Sequence, residues 1–170
     1  MNSVKEYNIL VVDDEHEVAT ILCKYLGFYK GFNNIVIAED GVQAMHKLSN
    51  QDFDLIITDI VMPKRSGLSL IDHLRKIPKY YRTKIMIVSG CLNKEIVMMA
   101  MRKGVRQVIV KPFSPRQLLE KTFEVLKIGN NSKKEVDRIL KIIAQQVAND
   151  LGDEGDGLSE TEIGQLIDAY

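Results

Sequence analysis

The 170-residue chain reads as an α/β protein built on a doubly wound, five-stranded parallel sheet, followed by a short helical tail. Two observations predict this. Short β-branched runs alternate with stretches of helical periodicity between residues 7 and 127. Those runs are unbroken rather than alternately apolar and polar, which fits strands covered by helices on both faces.

The first run, Tyr7–Val12, ends on Asp13-Asp14. Ile35–Ala38, Asp54–Thr58, Lys84–Val88 and Val108–Val110 read the same way. Between them, Glu15–Leu26 places Val18, Ile21, Leu22 and Leu26 on one stripe, with Gly27 as a terminator. Gly41–Ser49, Leu68–Lys76, Asn93–Lys103 and Pro115–Lys127 are the other predicted helices. Ser114-Pro115 is an N-cap with proline at the first helical position, where its missing N–H costs nothing. Five strands and five helices in alternation imply right-handed crossovers and a first domain over residues 1–128. Gly129-Asn130-Asn131 is a linker, and 132–170 an acidic helical tail for docking or dimerisation. In the tail, Ser132 and Glu135 form a capping box for a helix to about Asp150, carrying Val136, Leu140, Ile143, Val147 and Leu151. Ser159 and Glu162 form a second box, which makes the tail a helical hairpin.

Net charge is zero, but it is divided. Residues 1–141 hold all 23 Lys and Arg against 16 acids, a balance of +7, and 142–170 hold seven acids and no base, a balance of −7. Phosphate contacts need Lys and Arg, so the tail is no nucleic-acid arm, and no nucleic-acid partner is expected. No run approaches the roughly 18 apolar residues of a membrane span, and the amino terminus lacks a signal core, so a cytoplasmic address is expected. Cys23 and Cys91 read as reduced thiols, and His16, His46 and His73 as surface residues.

In an open parallel sheet, ligands bind beyond the carboxyl ends of the strands. The polar residues there are Asp13, Asp14, Asp59, Ser89 and Lys111. Three converging carboxylates repel one another unless a cation neutralises them. An all-oxygen set suits Mg2+, which prefers phosphate-bearing partners. A carboxylate such as Asp59 forms acyl phosphates, while Lys111 offers a point charge and Ser89 a hydroxyl donor.

With these residues in order, the chain resembles the receiver (phosphoacceptor) domain of bacterial two-component response regulators. The matching stretches are Ile-Leu-Val-Val-Asp13-Asp14-Glu, Asp54-Leu-Ile-Ile-Thr-Asp59-Ile-Val-Met-Pro63, Ser66-Gly67, Ile-Val-Ser89-Gly90 and Val110-Lys111-Pro112-Phe113. The resemblance implies a flavodoxin-like fold and a phosphorylation-dependent switch. In that reading Asp59 accepts a phosphoryl group from a sensor histidine kinase or phosphotransfer protein. Asp14 and Asp59 ligate Mg2+, Asp13 acts partly through water, and the Val61 carbonyl completes the protein ligands. Ser89 and Lys111 bind the phosphoryl group, and the Lys111–Pro112 bond is cis. The domain catalyses only its own phosphorylation and dephosphorylation, and a downstream protein reads its state.

Two departures matter. The family's usual aromatic residue three positions before the lysine is Val108 here, so the aromatic part of the switch is missing. Val61 and Cys91, each two positions beyond a site residue, offer no acid or amide to steer a hydrolytic water, which leans toward a phosphoryl group of moderate or long life. On the fourth helix, Ile96, Met99 and Ala100 are expected to face the sheet, leaving Met98 and Met101 outward as a signalling surface. The tail or this helix could also join a second copy. Two rival readings are the receiver portion of a larger regulator and, least favoured, a Mg2+-dependent phosphatase with an aspartyl nucleophile. The latter expects Asp-x-Asp after the first strand, where this chain has adjacent aspartates.

Overall fold

A computed structural model describes residues 5–129 and 132–150. The chain divides into two compact units, Met1–Pro112 and Phe113–Tyr170.

The first unit runs β1 (Tyr7–Val12), α1 (His16–Gly27), β2 (Phe32–Ala38), α2 (Gly41–Asn50), β3 (Leu55–Thr58), α3 (Gly67–Lys76), β4 (Lys84–Ser89), α4 (Lys94–Arg102) and β5 (Gln107–Val110). All strands pair in parallel in the order β2-β1-β3-β4-β5. Strand order therefore reverses at β1, and the crevice at that reversal is where such sheets take ligands. The central strands meet the expectation of burial on both faces: Ile9, Leu10, Val11, Leu55, Ile56, Met86 and Ile87 are at most 1% exposed. Each such side chain contributes about 1.5–3 kcal/mol by leaving water. β2 is half-buried through most of its length, because it stands at the sheet edge.

Local chemistry sets the helix starts. Asp40 caps α2, its Oδ1 accepting from Val42 N and Gln43 N at 2.8 Å each. Ser66 caps α3 and Asn93 caps α4. On α1 the buried stripe is Ala19, Leu22 and Leu26. Ile21, expected on that stripe, is exposed, because at about 100° per residue it lies well round the helix from the face of Ala19, Leu22 and Leu26. Gly27 is the last helical residue rather than a left-handed terminator. On α4, Ala100 is buried and Ile96 packs on the core, but Met99, expected inward, is 41% exposed. A nine-residue helix buries a narrow face, and Ala100 fills it.

The second unit holds α5 (Pro115–Leu126) and α6 (Ser132–Asp150), which pack on each other. Ser114 caps α5, accepting from Gln117 N, and Lys127 closes it in the left-handed conformation (φ 57°). The helix thus ends at Leu126, one residue short of the expected Lys127. α6 buries Val136, Ile139, Leu140, Ile143 and Ala144. Ser132 is already helical, and Glu135, expected to cap this start, instead holds Arg138 at 2.6 and 3.1 Å. Arg116 of α5 pairs with Asp137 of α6 at 2.9 Å. Leu151 and the second capping box, Ser159 with Glu162, lie outside the described residues.

Candidate functional site

The carboxyl ends of β1, β3, β4 and β5 bring Asp13, Asp14, Asp59, Ser89 and Lys111 to one edge of the sheet. The register requires it: Val12 pairs with Thr58, Thr58 with Ile87, and Ser89 with Val110. The residues that follow these pairs leave the sheet side by side, and Lys111 N reaches back to Ser89 O at 3.0 Å.

Asp59 is the centre. It is 5% exposed, and both carboxylate oxygens are engaged. Oδ1 accepts from Ser89 Oγ at 2.5 Å, from Val61 N at 3.1 Å and from Ile60 N. Oδ2 accepts from Lys111 Nζ at 2.7 Å. Burial pushes its carboxyl up, but the Lys111 ammonium, the Ser89 hydroxyl and the Val61 amide outweigh burial and hold it below the ordinary carboxylate range. Asp13 goes the other way. Burial dominates there and leaves its carboxyl raised, despite Lys111 and the Glu15 amide. Lys111 itself is lifted above the usual lysine range: burial opposes its charge, yet Asp59, Asp13 and Glu15 together prevail.

Asp13 Oδ2 lies 2.9 Å from Lys111 Nζ as an ion pair, and the same ammonium is shared with Asp59 and Glu15. One ammonium among several carboxylates leaves negative charge at this edge that a further cation would neutralise. One oxygen each from Asp13, Asp14 and Asp59 lies within 4.8 Å of the others. Such a hard, all-oxygen cluster fits Mg2+, and Asp14, the exposed member, is open to solvent.

The loop after Asp59 is held from two sides. Gly67 N donates to Ile60 O at 3.0 Å, and a Cβ at Gly67 would lie 1.9 Å from Asp59 O. Lys64, in the left-handed conformation (φ 61°), reaches Asp40 Oδ2 at 2.8 Å. Val61 is 57% exposed, Cys91 is exposed, and the Lys111–Pro112 bond is cis.

The three residues expected as a signalling surface lie apart from this site. Met98 and Met101 are exposed on α4, and Val108 on β5 is half-buried against the core. Glu15, passed over in the sequence, holds Lys111 at 2.9 Å. Its place directly after two aspartates in a turn was the signal. Lys64 gave no signal, because its partner Asp40 is 24 residues away.

A family model, the response regulator receiver domain, matches residues 9–123. The Campylobacter jejuni chemotaxis protein CheY homologue is 37% identical over 123 residues, covering 72% of this chain and 94% of that protein. The Helicobacter pylori chemotaxis protein CheY1 is 36% identical over 119 residues, covering 69% and 95%. Among solved structures, a CheY-like receiver domain protein from Methanospirillum hungatei superimposes with a TM-score of 0.65 at 30% identity, covering 78% of this chain and 99% of that one.

Proposed function

The chain belongs to the response regulator receiver domain family, a family of phosphorylation-dependent signalling switches, and on that footing we propose that Asp59 is its phosphoryl acceptor. The observation that carries this reading is the flanking of one ionised carboxylate by a hydroxyl donor and an ammonium. Ser89 Oγ lies 2.5 Å from one Asp59 oxygen and Lys111 Nζ 2.7 Å from the other. An Asp59 oxygen attacks the phosphorus of a phosphohistidine on a sensor kinase or phosphotransfer protein. A P–O bond forms, the P–N bond breaks, and its electron pair returns to the donor's imidazole. Ser89 and Lys111 then turn from the carboxylate to the phosphoryl oxygens.

Asp13, Asp14 and Asp59, with the Val61 carbonyl, are the residues to hold Mg2+. Once bound, the ion neutralises the carboxylates and the charge on the phosphoryl oxygens. The chain's own part is to keep those groups converged and nearly dry. Asp59 and Asp13 are buried, and Lys111 is the counter-charge shared among Asp13, Asp59 and Glu15. A phosphoryl group on Asp59 competes for that ammonium and biases the neighbouring loops toward a second packing. The exposed Val61 and Cys91 carry no side-chain acid or amide to orient an attacking water, which supports a phosphoryl group of moderate or long life. A downstream protein reads the modified state through the exposed Met98 and Met101, with Val108, packed on the core, standing where the family's aromatic switch residue would be. We place the switch in the cytoplasm. No helix among the described residues is long and apolar enough to cross a membrane. We also assign residues 1–128 to the receiver and the acidic tail to contact with a second copy.

The test is incubation with acetyl phosphate, with and without Mg2+, followed by intact-mass spectrometry of the wild type and Asp59→Asn. One Mg2+-dependent phosphoryl adduct, lost in the variant, is expected. An adduct that persists in Asp59→Asn would move the acceptor elsewhere.

A further inference from the structure

At the end of the sheet opposite Asp59, a cavity of about 450 Å³ opens between the carboxyl ends of α3 and α4 and the start of β4. That volume lies within the roughly 300–1,000 Å³ of ligand clefts. Its wall carries five cations, Arg75, Arg82, Lys84, Arg102 and Lys103, beside the exposed Tyr81, and no acid.

The five are not equivalent. Arg75 builds the wall: its guanidinium donates to the carbonyls of Lys103, Tyr81, Thr83 and Tyr80 at 2.8–3.3 Å. Lys103 is engaged by Asp72 at 2.5 Å. Arg82 and Arg102 are exposed, and neither has a carboxylate partner among the described residues. Carbonyls at a helix end, with some help from the macrodipole, explain the presence of cations. They do not explain why two arginines at the cavity remain without counter-charge.

The chain carries the missing charge itself. Residues 150–168 hold seven acids and no base, which is the whole of the −7 that offsets the +7 of residues 1–141. We propose that this cavity binds the acidic stretch 150–168 of a second copy, Arg82 and Arg102 taking its carboxylates bidentately. The inference rests on the self-association proposed above and names its surface. Exchange of tails between two copies is isologous, so the assembly closes as a dimer. The contact lies at the far end of the sheet from Asp59, so it leaves the phosphoryl site open.

Two measurements on the full chain test it. Sedimentation velocity is run in 0.1 M and 1 M NaCl, because the screening length falls from about 10 Å to about 3 Å between them. Fluorescence anisotropy follows a labelled peptide of residues 150–168 binding to the wild type and to Arg82→Glu/Arg102→Glu. A dimer at 0.1 M that dissociates at 1 M is expected, with peptide affinity at least about tenfold weaker for the double variant. A chain with Glu160→Lys/Glu162→Lys, mixed with the double variant, restores association. A monomer at 0.1 M overturns both the inference and the self-association beneath it. A dimer indifferent to the charge reversal overturns the cavity alone and leaves self-association standing on another surface. Inorganic tripolyphosphate binding at the cavity without displacing the peptide also overturns it.

Discussion

Replacing Gly67 by alanine strikes Asp59, the proposed acceptor, through its main chain. The added Cβ would sit 1.9 Å from Asp59 O, 2.9 Å from Asp59 C and 3.0 Å from Thr58 Oγ1. A carbon–oxygen contact is comfortable at about 3.3 Å, so the overlap with Asp59 O is about 1.4 Å. No flexible side chain absorbs it. The Asp59 carbonyl is pinned by Thr58 Oγ1 at 2.8 Å, and α3 is tied back through Gly67 N to Ile60 O. The whole start of α3 must move, and overpacking of this kind costs about 3 kcal/mol. The displaced atoms belong to Asp59, so phosphorylation by acetyl phosphate slows as well. The paired control is Gly27→Ala, where nothing lies within 4 Å and φ is not positive. That change is expected to stabilise the chain by about 0.4–1 kcal/mol. Urea denaturation and the rate of phosphoryl uptake by intact mass read both variants. Gly67→Ala within about 0.5 kcal/mol of wild type, with an unchanged rate of uptake, would refute the reasoning.

Three further outcomes are expected. Burial raises the Asp13 carboxyl, so its contribution favours folding below the unfolded value of 3.8 and is lost as pH rises through the folded value. Asp13→Asn should therefore raise metal-free stability at pH 7 by on the order of 1 kcal/mol; MgCl2 should raise the melting temperature of the wild type but not of the variant. Lys103 and Lys76 hold Asp72 down at about 2, so its contribution is present above pH 3.8 and lost as pH falls toward 2; acid titration of Asp72→Asn should show less loss of stability across that window. Burial pushes the Cys23 thiol up to about 11, leaving about one thiolate in a thousand at pH 8. Iodoacetamide should therefore label the exposed Cys91 first, and peptide mapping with Cys23 labelled first would contradict the burial.

Much of this was legible in the chain because the signals were short-range. Ser114-Pro115 fixes the start of α5 from two adjacent residues, and Tyr7–Val12 shows the limits of β1 by apolar content alone. The polar residues at the strand ends could be named because parallel strands all deliver their carboxyl ends to one edge. What escaped depends on distance or size. That β2 is an edge strand follows from strand order, which apolar runs do not encode. Glu135 could serve as cap or ion-pair partner, and Arg138 one turn on decided it. The basic cavity gathers Arg75, Arg82 and Arg102 from three separate segments, which no local pattern reveals.

The spacing of the site along the chain has a consequence for how the protein is made. The ion pair between Asp13 and Lys111 closes a loop of 111 − 13 = 98 residues, and Asp59 sits midway. During synthesis Asp59 emerges well before the lysine that shares its charge. Until β5 joins the edge of the sheet, Asp13 and Asp59 have no ammonium between them, and closing so long a loop is among the slow events of folding. The shared ion pair therefore arrives only when the last strand does. A half-folded chain carries the two carboxylates without their counter-charge, so on the reading that Asp59 is the acceptor, topology ties phosphorylation to a finished sheet.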